Sequence, residues 1–180
     1  MRTHTFESIA ELAYAFLPKE NKLEAPIDIE SIIINEGIRI REDASLGEGI
    51  IGKITFDGDI AVISINPLEN TYRSRRRFTL AHEFGHYVLH SKDDKREFID
   101  ASETMFRTGT NDFETEANHF AASILMPKDL LVSEALLIVE DFKQTNDFTL
   151  DEFIRRLALK FNVSIQSMRY RLINLDIISE

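Results

Sequence analysis

Cysteine is absent from this 180-residue chain. Disulfide scaffolds, thiol nucleophiles, iron–sulfur clusters and thiolate zinc sites are therefore excluded. Basic residues are also scarce: 21 Lys and Arg stand against 31 Asp and Glu, for a formal charge of −10. That balance argues against sequence-independent nucleic-acid binding, which rests on neutralising phosphates, and against docking on anionic membranes. No apolar run approaches the roughly 20 residues needed to span a bilayer. The opening stretch MRTHTFESIAELAYAF carries Glu7 and Glu11 inside its apolar part, so it lacks the pattern of a signal peptide. We expect a cytoplasmic protein with no membrane contact. Internal repeats and low-complexity segments are missing as well.

What is present is ordinary for a soluble globular chain: 43% hydrophobic and 29% charged residues. The length suits one domain and buries a core without help from disulfides or metal. Residues 5–17 place Phe6, Ile9, Leu12, Ala13 and Phe16 at helical spacing, and Pro18 ends the segment. A second short helix is predicted from Asp28, a suitable N-cap, to Glu36, with Gly37 as its stop. Ile38-Arg39-Ile40-Arg41 alternates like a strand, and Ile50 to Ile65 reads as two strands joined at Asp57-Gly58. The period then changes: residues 73–90 and 112–125 suit long helices, and 91–110 are polar and read as a loop. Pro127 opens a shorter helix, and 149–160 and 164–174 complete a helical tail. The order helix, sheet, helices predicts an α+β fold, with a small antiparallel sheet packed on helices. Residues 1–127 are expected to form the core with its N-terminal helices, and 128–180 a helical subdomain of the same domain.

The string His82-Glu83-Phe84-Gly85-His86 is an H-E-x-x-H match. On a helix, positions i and i+4 face the same way, one turn apart. Two imidazoles so placed can grip one zinc ion, and the carboxylate between them can hold a proton from a zinc-activated water. His82 and His86 are thus candidate ligands and Glu83 a candidate general base. A surface helix carrying two ordinary histidines is the bland alternative.

A catalytic zinc needs a third protein ligand and an open position. With no cysteine, the segment Glu114-Thr115-Glu116-Ala117-Asn118-His119 offers the best set. Glu114 and Asn118 share a helix face, so one could supply a carboxylate while the other bonds the far nitrogen of a ligating histidine. Asn111 and Glu114 also fit a capping box. Glu116 is the rival ligand, but it points about 160° from Glu114, so both cannot serve one ion. His119 lies off the Glu114 face. His90 stands about 12 Å along the helix from His82 and cannot share the ion with both others.

Together, Arg77-Phe78-Thr79-Leu80-Ala81-His82-Glu83-Phe84-Gly85-His86 and Glu114-Thr115-Glu116-Ala117-Asn118-His119-Phe120-Ala121-Ala122-Ser123-Ile124-Leu125-Met126-Pro127 resemble the ImmA/IrrE family of metallo-endopeptidases. The resemblance spans most of residues 25–175. It implies a zincin-like metallopeptidase fold in which His82, His86 and Glu114 bind one Zn2+ and Glu83 is the base. It also implies a protein substrate: a helix-turn-helix transcriptional repressor of Xre/Cro type, or an antitoxin, whose cleavage derepresses stress, phage or mobile-element genes. His119 and Tyr87 are candidates for a substrate or oxyanion contact, and strand Ala61–Ile65 for pairing with an extended substrate.

Three further readings stand beside this one. Arg73, Arg75, Arg76 and Arg77 cluster where the first long helix begins, against the sense of the helix dipole, and are read as partners of the chain's own carboxylates. The stretch 157–172 has helix-turn-helix spacing, with Arg155, Arg156, Lys160, Arg169 and Arg171 nearby. Packing is the preferred role for this tail over direct DNA binding. The rival function is a toxin-like or regulatory partner of a DNA-binding antitoxin, with little or no proteolysis.

Overall fold

The computed structural model of the protein describes residues 4–19, 23–90, 97–101, 112–145 and 148–179. Helix α1 spans Phe6–Ala15 and α2 spans Ile29–Asn35; their first turns are capped by Thr5, which accepts from Ser8 N, and by Asp28, which accepts from Ser31 N. Strands β1 (Arg39–Glu42), β2 (Ile50–Asp57) and β3 (Ile60–Ile65) follow, the last two joined by the Asp57-Gly58 turn. Helix α3 (Arg73–His90) then crosses the molecule, strand β4 (Glu97–Ala101) returns to the sheet, and α4 (Asp112–Leu125) comes next. The tail is α5 (Lys128–Thr145), α6 (Leu150–Phe161) and α7 (Ile165–Asn174). The fold is α+β.

Three details depart from the sequence-based expectation. The sheet is mixed rather than antiparallel, in the order β1-β3-β2-β4. β3 folds back from its hairpin into the gap between β1 and β2, which makes it antiparallel to β2 and parallel to β1. Because β3 has neighbours on both sides, Ala61–Ile65 offers no free edge for a substrate strand; among the described residues the sheet's edges are β1 and β4. Second, 91–110 is not all loop. Glu97–Ala101 pairs antiparallel with β2, with a register shift between Ile50 and Gly52. Residues 91–96 and 102–110 of that segment, and Asn111 after it, lie outside the described residues. Third, α5 is 18 residues long, as long as α3, rather than short. Residues 128–180 contain no proline or glycine to interrupt it.

The core gathers Ile9 and Ala13 of α1, Ile29 and Ile33 of α2, Ile54, Ile63 and Ile65 of the sheet, Leu80 and Phe84 of α3, and Phe120, Ala121 and Ile124 of α4. Ile154, Leu157, Phe161, Met168 and Leu172 of the tail belong to the same cluster. Helix α3 packs on β2 and β3 on one side and on α4 on the other. It is therefore buried around most of its circumference from Arg77 to His86, polar residues included.

Arg171 is 2% exposed. Its guanidinium donates to the Met126 carbonyl at 3.1 Å and to the Tyr14 hydroxyl at 3.1 Å, tying α7 to α1 and to the turn between α4 and α5. Four other basic side chains of the tail are paired within it: Arg155 and Arg156 with Glu152, Arg156 also with Asp141, Lys160 with Glu134, and Arg169 with Asp151. At the head of α3, Arg76 pairs with Glu30 and Glu42, and buried Arg77 donates to the Ile27 carbonyl at 2.7 Å.

Candidate metal centre

One turn of α3 brings His82 and His86 onto the face that meets α4. The helices cross where α3 carries Gly85: a Cβ there would lie 3.2 Å from each of Ala117 Cα, Ala117 O and Phe120 Cβ. This close approach lets the first turn of α4 reach the histidines. The Nε2 atoms of His82 and His86 are 3.1 Å apart. Glu114 places Oε2 3.3 Å from His82 Nε2 and Oε1 3.3 Å from His86 Nε2.

The spacing can be set against zinc chemistry. With bonds of about 2.0–2.1 Å at tetrahedral angles, two ligand atoms stand roughly 3.3 Å apart. Two nitrogens and a carboxylate at 3.1 to 3.3 Å match the edges of such a face. The donor set, two imidazoles and one carboxylate, leaves a fourth position for solvent or substrate. This cluster could hold a metal ion.

Asn118, one turn beyond Glu114, has Oδ1 2.9 Å from His82 Nδ1. An amide oxygen only accepts, so Nδ1 carries the proton, and the lone pair of Nε2 faces His86 and Glu114. Both histidines are fully buried. Glu83, also fully buried, projects from α3 toward β2, where its carboxylate meets the Gly52 backbone.

Glu116 points elsewhere. Its Oε1 accepts from the His4 backbone N–H at 3.0 Å, and its Oε2 lies 3.8 Å from His90 Nε2. His90 packs edge-on against Phe113, with ring centroids 4.6 Å apart. His119 and Tyr87 are not among the converging donors. His119 stacks on Phe6 of α1 with centroids 4.4 Å apart. Burial, and then the positive charge of Arg171, push its pKa down from 6.5 to about 4. Tyr87 lies against Phe84 and Phe56 at centroid distances of 6.3 and 6.4 Å.

Sequence reasoning passed over Gly85 and Gly52, which shape the site by having no side chain. A glycine inside the strand run Ile50-Ile51-Gly52-Lys53-Ile54 is itself a signal of a bulge or a close approach.

The sequence model of the IrrE N-terminal-like domain, peptidase family M78, matches residues 35–173. The chain belongs to this family. The match takes in both histidines, Glu83 and the whole of α4. No curated protein matches the chain. Among solved structures, a Mycobacterium tuberculosis transcriptional regulator is similar in fold, with a TM-score of 0.51 at 16% identity over 93% of this chain. The M78 chain spans 46% of that longer protein. Among the described residues, no helix is long and apolar enough to cross a membrane.

Proposed function

We propose that this chain is a zinc-dependent endopeptidase that cleaves a helix-turn-helix transcriptional repressor. The observation that carries the reading is the convergence of His82 Nε2, His86 Nε2 and the Glu114 carboxylate, one oxygen 3.3 Å from each nitrogen, with Glu83 buried on the same helix. In this reading His82, His86 and Glu114 hold one zinc ion, and Asn118 fixes the His82 tautomer. Zinc, when bound, polarises the scissile carbonyl and makes water acidic enough to react near neutral pH. Glu83 accepts the proton of the attacking water as the C–O bond forms, then delivers it to the amine as the C–N bond breaks. Its burial keeps bulk water from competing for that proton.

Family membership supports peptidase chemistry. The repressor as substrate is supported by the resemblance of the two helices to ImmA/IrrE peptidases, and by the occurrence of a similar fold within a longer transcriptional regulator. The paired basic residues of the tail support reading 128–180 as part of the peptidase domain rather than as a DNA reader.

The test is Glu83→Gln. It should keep zinc stoichiometry and lose cleavage of a helix-turn-helix repressor substrate, by about 100-fold or more, the usual contribution of a positioned acid–base group. Full biological activity in that variant would remove hydrolysis from the function and leave a binding role.

A further inference from the structure

The carboxylate of Glu83 lies against one particular piece of backbone. A Cβ built on Gly52 would stand 2.6 Å from Glu83 Oε1, 3.4 Å from Glu83 Cδ and 2.8 Å from Thr79 Cγ2. Such distances are too short for any residue other than glycine unless the neighbours move. Gly52 lies beside the irregularity where the register of β2 against β4 slips between Ile50 and Gly52. Bulges re-aim a strand locally and recur next to active sites.

A buried polar network fixes that stretch of β2 to α3. Asn70 Nδ2 donates to the Ile51 carbonyl at 2.7 Å and to the Asn66 carbonyl at 2.8 Å. Asn66 N also donates to the Ile51 carbonyl at 3.0 Å, and Asn66 Nδ2 to the Ile50 carbonyl at 2.9 Å. Thr79 Oγ1 donates to Asn70 Oδ1 at 2.7 Å. Thr79 sits one helical turn before Glu83. The residues that anchor the strand therefore also anchor the turn that carries the carboxylate.

We propose that Gly52 is a positioning residue: its bare Cα forms the wall that holds the Glu83 carboxylate in place, and the Asn70–Thr79 bond locks that wall to α3. The proposal rests on reading Glu83 as a base beside bound zinc. The nearest obstruction to a side chain at position 52 is the far end of Glu83, a flexible group. Gly52→Ala therefore displaces the base and also presses on the Thr79 methyl, a clash common to both arms of a cycle on Glu83.

The experiment is a double-mutant cycle on the zinc-loaded full chain, with acetohydroxamic acid as the probe. A hydroxamic acid chelates zinc and passes its O–H proton to the neighbouring base, so its affinity reports the position of Glu83 without any peptide substrate. Gly52→Ala should keep one zinc per chain and weaken the hydroxamate by about tenfold, a coupling ordinary for groups in contact. In the Glu83→Gln background the same change should alter affinity by less than about twofold, because the coupled partner is already lost. With a peptide substrate, kcat should fall while KM holds. Equal effects in both backgrounds, or unchanged hydroxamate binding in Gly52→Ala, would overturn the proposal. If Gly52→Ala alone fails to fold, rescue by Glu83→Ala supports the contact; continued failure places the obstruction elsewhere and overturns it. A wild-type chain that binds zinc and hydroxamate but cleaves no repressor sinks the peptidase reading alone and leaves the cycle to decide on Gly52.

Discussion

His82 Nδ1 and Asn118 Oδ1 stand 2.9 Å apart, joining α3 to α4 through a bond that sets the histidine tautomer. Removing it frees the ring to rotate and to move its proton to Nε2, where zinc would have to displace it. Asn118→Ala should therefore weaken zinc by about 10- to 100-fold, the usual range for partners that orient a ligating histidine. Asn118→Asp keeps the acceptor and should hold zinc at least as well as the wild type. Competition with a chromophoric chelator measures both. Equal affinity in Asn118→Ala would show that α4 orients His82 by packing alone.

Glu114 and Glu116 are two residues apart but work on different partners. Glu114 faces His82 and His86, whereas Glu116 holds the His4 backbone and lies near His90. Glu114→Ala should abolish stoichiometric zinc, because a catalytic site needs three protein ligands. Glu116→Ala should keep zinc and lower the melting temperature of the metal-free chain, because it releases residues ahead of α1. Metal analysis of the two purified variants decides the assignment, and the reverse result would exchange their roles.

The two helices that meet at the site were legible because their signals are local. His82 and His86 share a face by spacing alone, and so do Glu114 and Asn118, so each half of the constellation is written within five residues. That the halves meet depends on Gly85 and Ala117, and no periodicity reveals a contact across more than 30 residues. The sheet was less legible for the same reason. Insertion of β3 between β1 and β2 is a choice of non-local partner, and the Asp57-Gly58 turn specifies only the β2–β3 pair. β4 was missed because Glu97-Phe98-Ile99-Asp100-Ala101 sets two apolar residues side by side, without the alternation that marks a half-buried strand. Pairing with β2 forms it, not its own pattern. The length of α5 was available in the lack of breakers after Pro127, a weaker cue than the proline itself.

Gly85 lies close against α4, with backbone atoms of Ala117 in the way of any side chain. Gly85→Ala gains helix propensity of about 1 kcal/mol but forces the helices apart, and overpacking costs about 1–3 kcal/mol. The second effect should win, because a backbone carbonyl cannot rotate away as a side chain can. Glu114 lies one turn from Ala117, so zinc affinity should drop as well. Urea unfolding with and without zinc separates the two: the loss should be larger with metal present. A stabilised variant with unchanged zinc affinity would mean that the interface has slack.

His119, stacked on Phe6 and half-buried, has its pKa pushed from 6.5 to about 4 by burial and by Arg171. In the unfolded chain the ring returns to an ordinary histidine value near 6.5. Between these limits the unfolded state binds the proton and the native state does not, so stability falls as pH drops through the window. The contribution is complete above about pH 6.5 and gone below about pH 4. His119→Gln cannot titrate. It should lose stability at pH 7.5 through weaker stacking, and then lose less than the wild type on going to pH 5. The gap between the two melting temperatures should therefore narrow in acid. Comparing them across pH 4.5 to 7.5 in the metal-free state keeps zinc release out of the comparison, and the carboxylates and other histidines, common to both chains, largely cancel. Parallel curves would show that His119 titrates as an ordinary surface histidine, and that its place against α1 leaves it open to water.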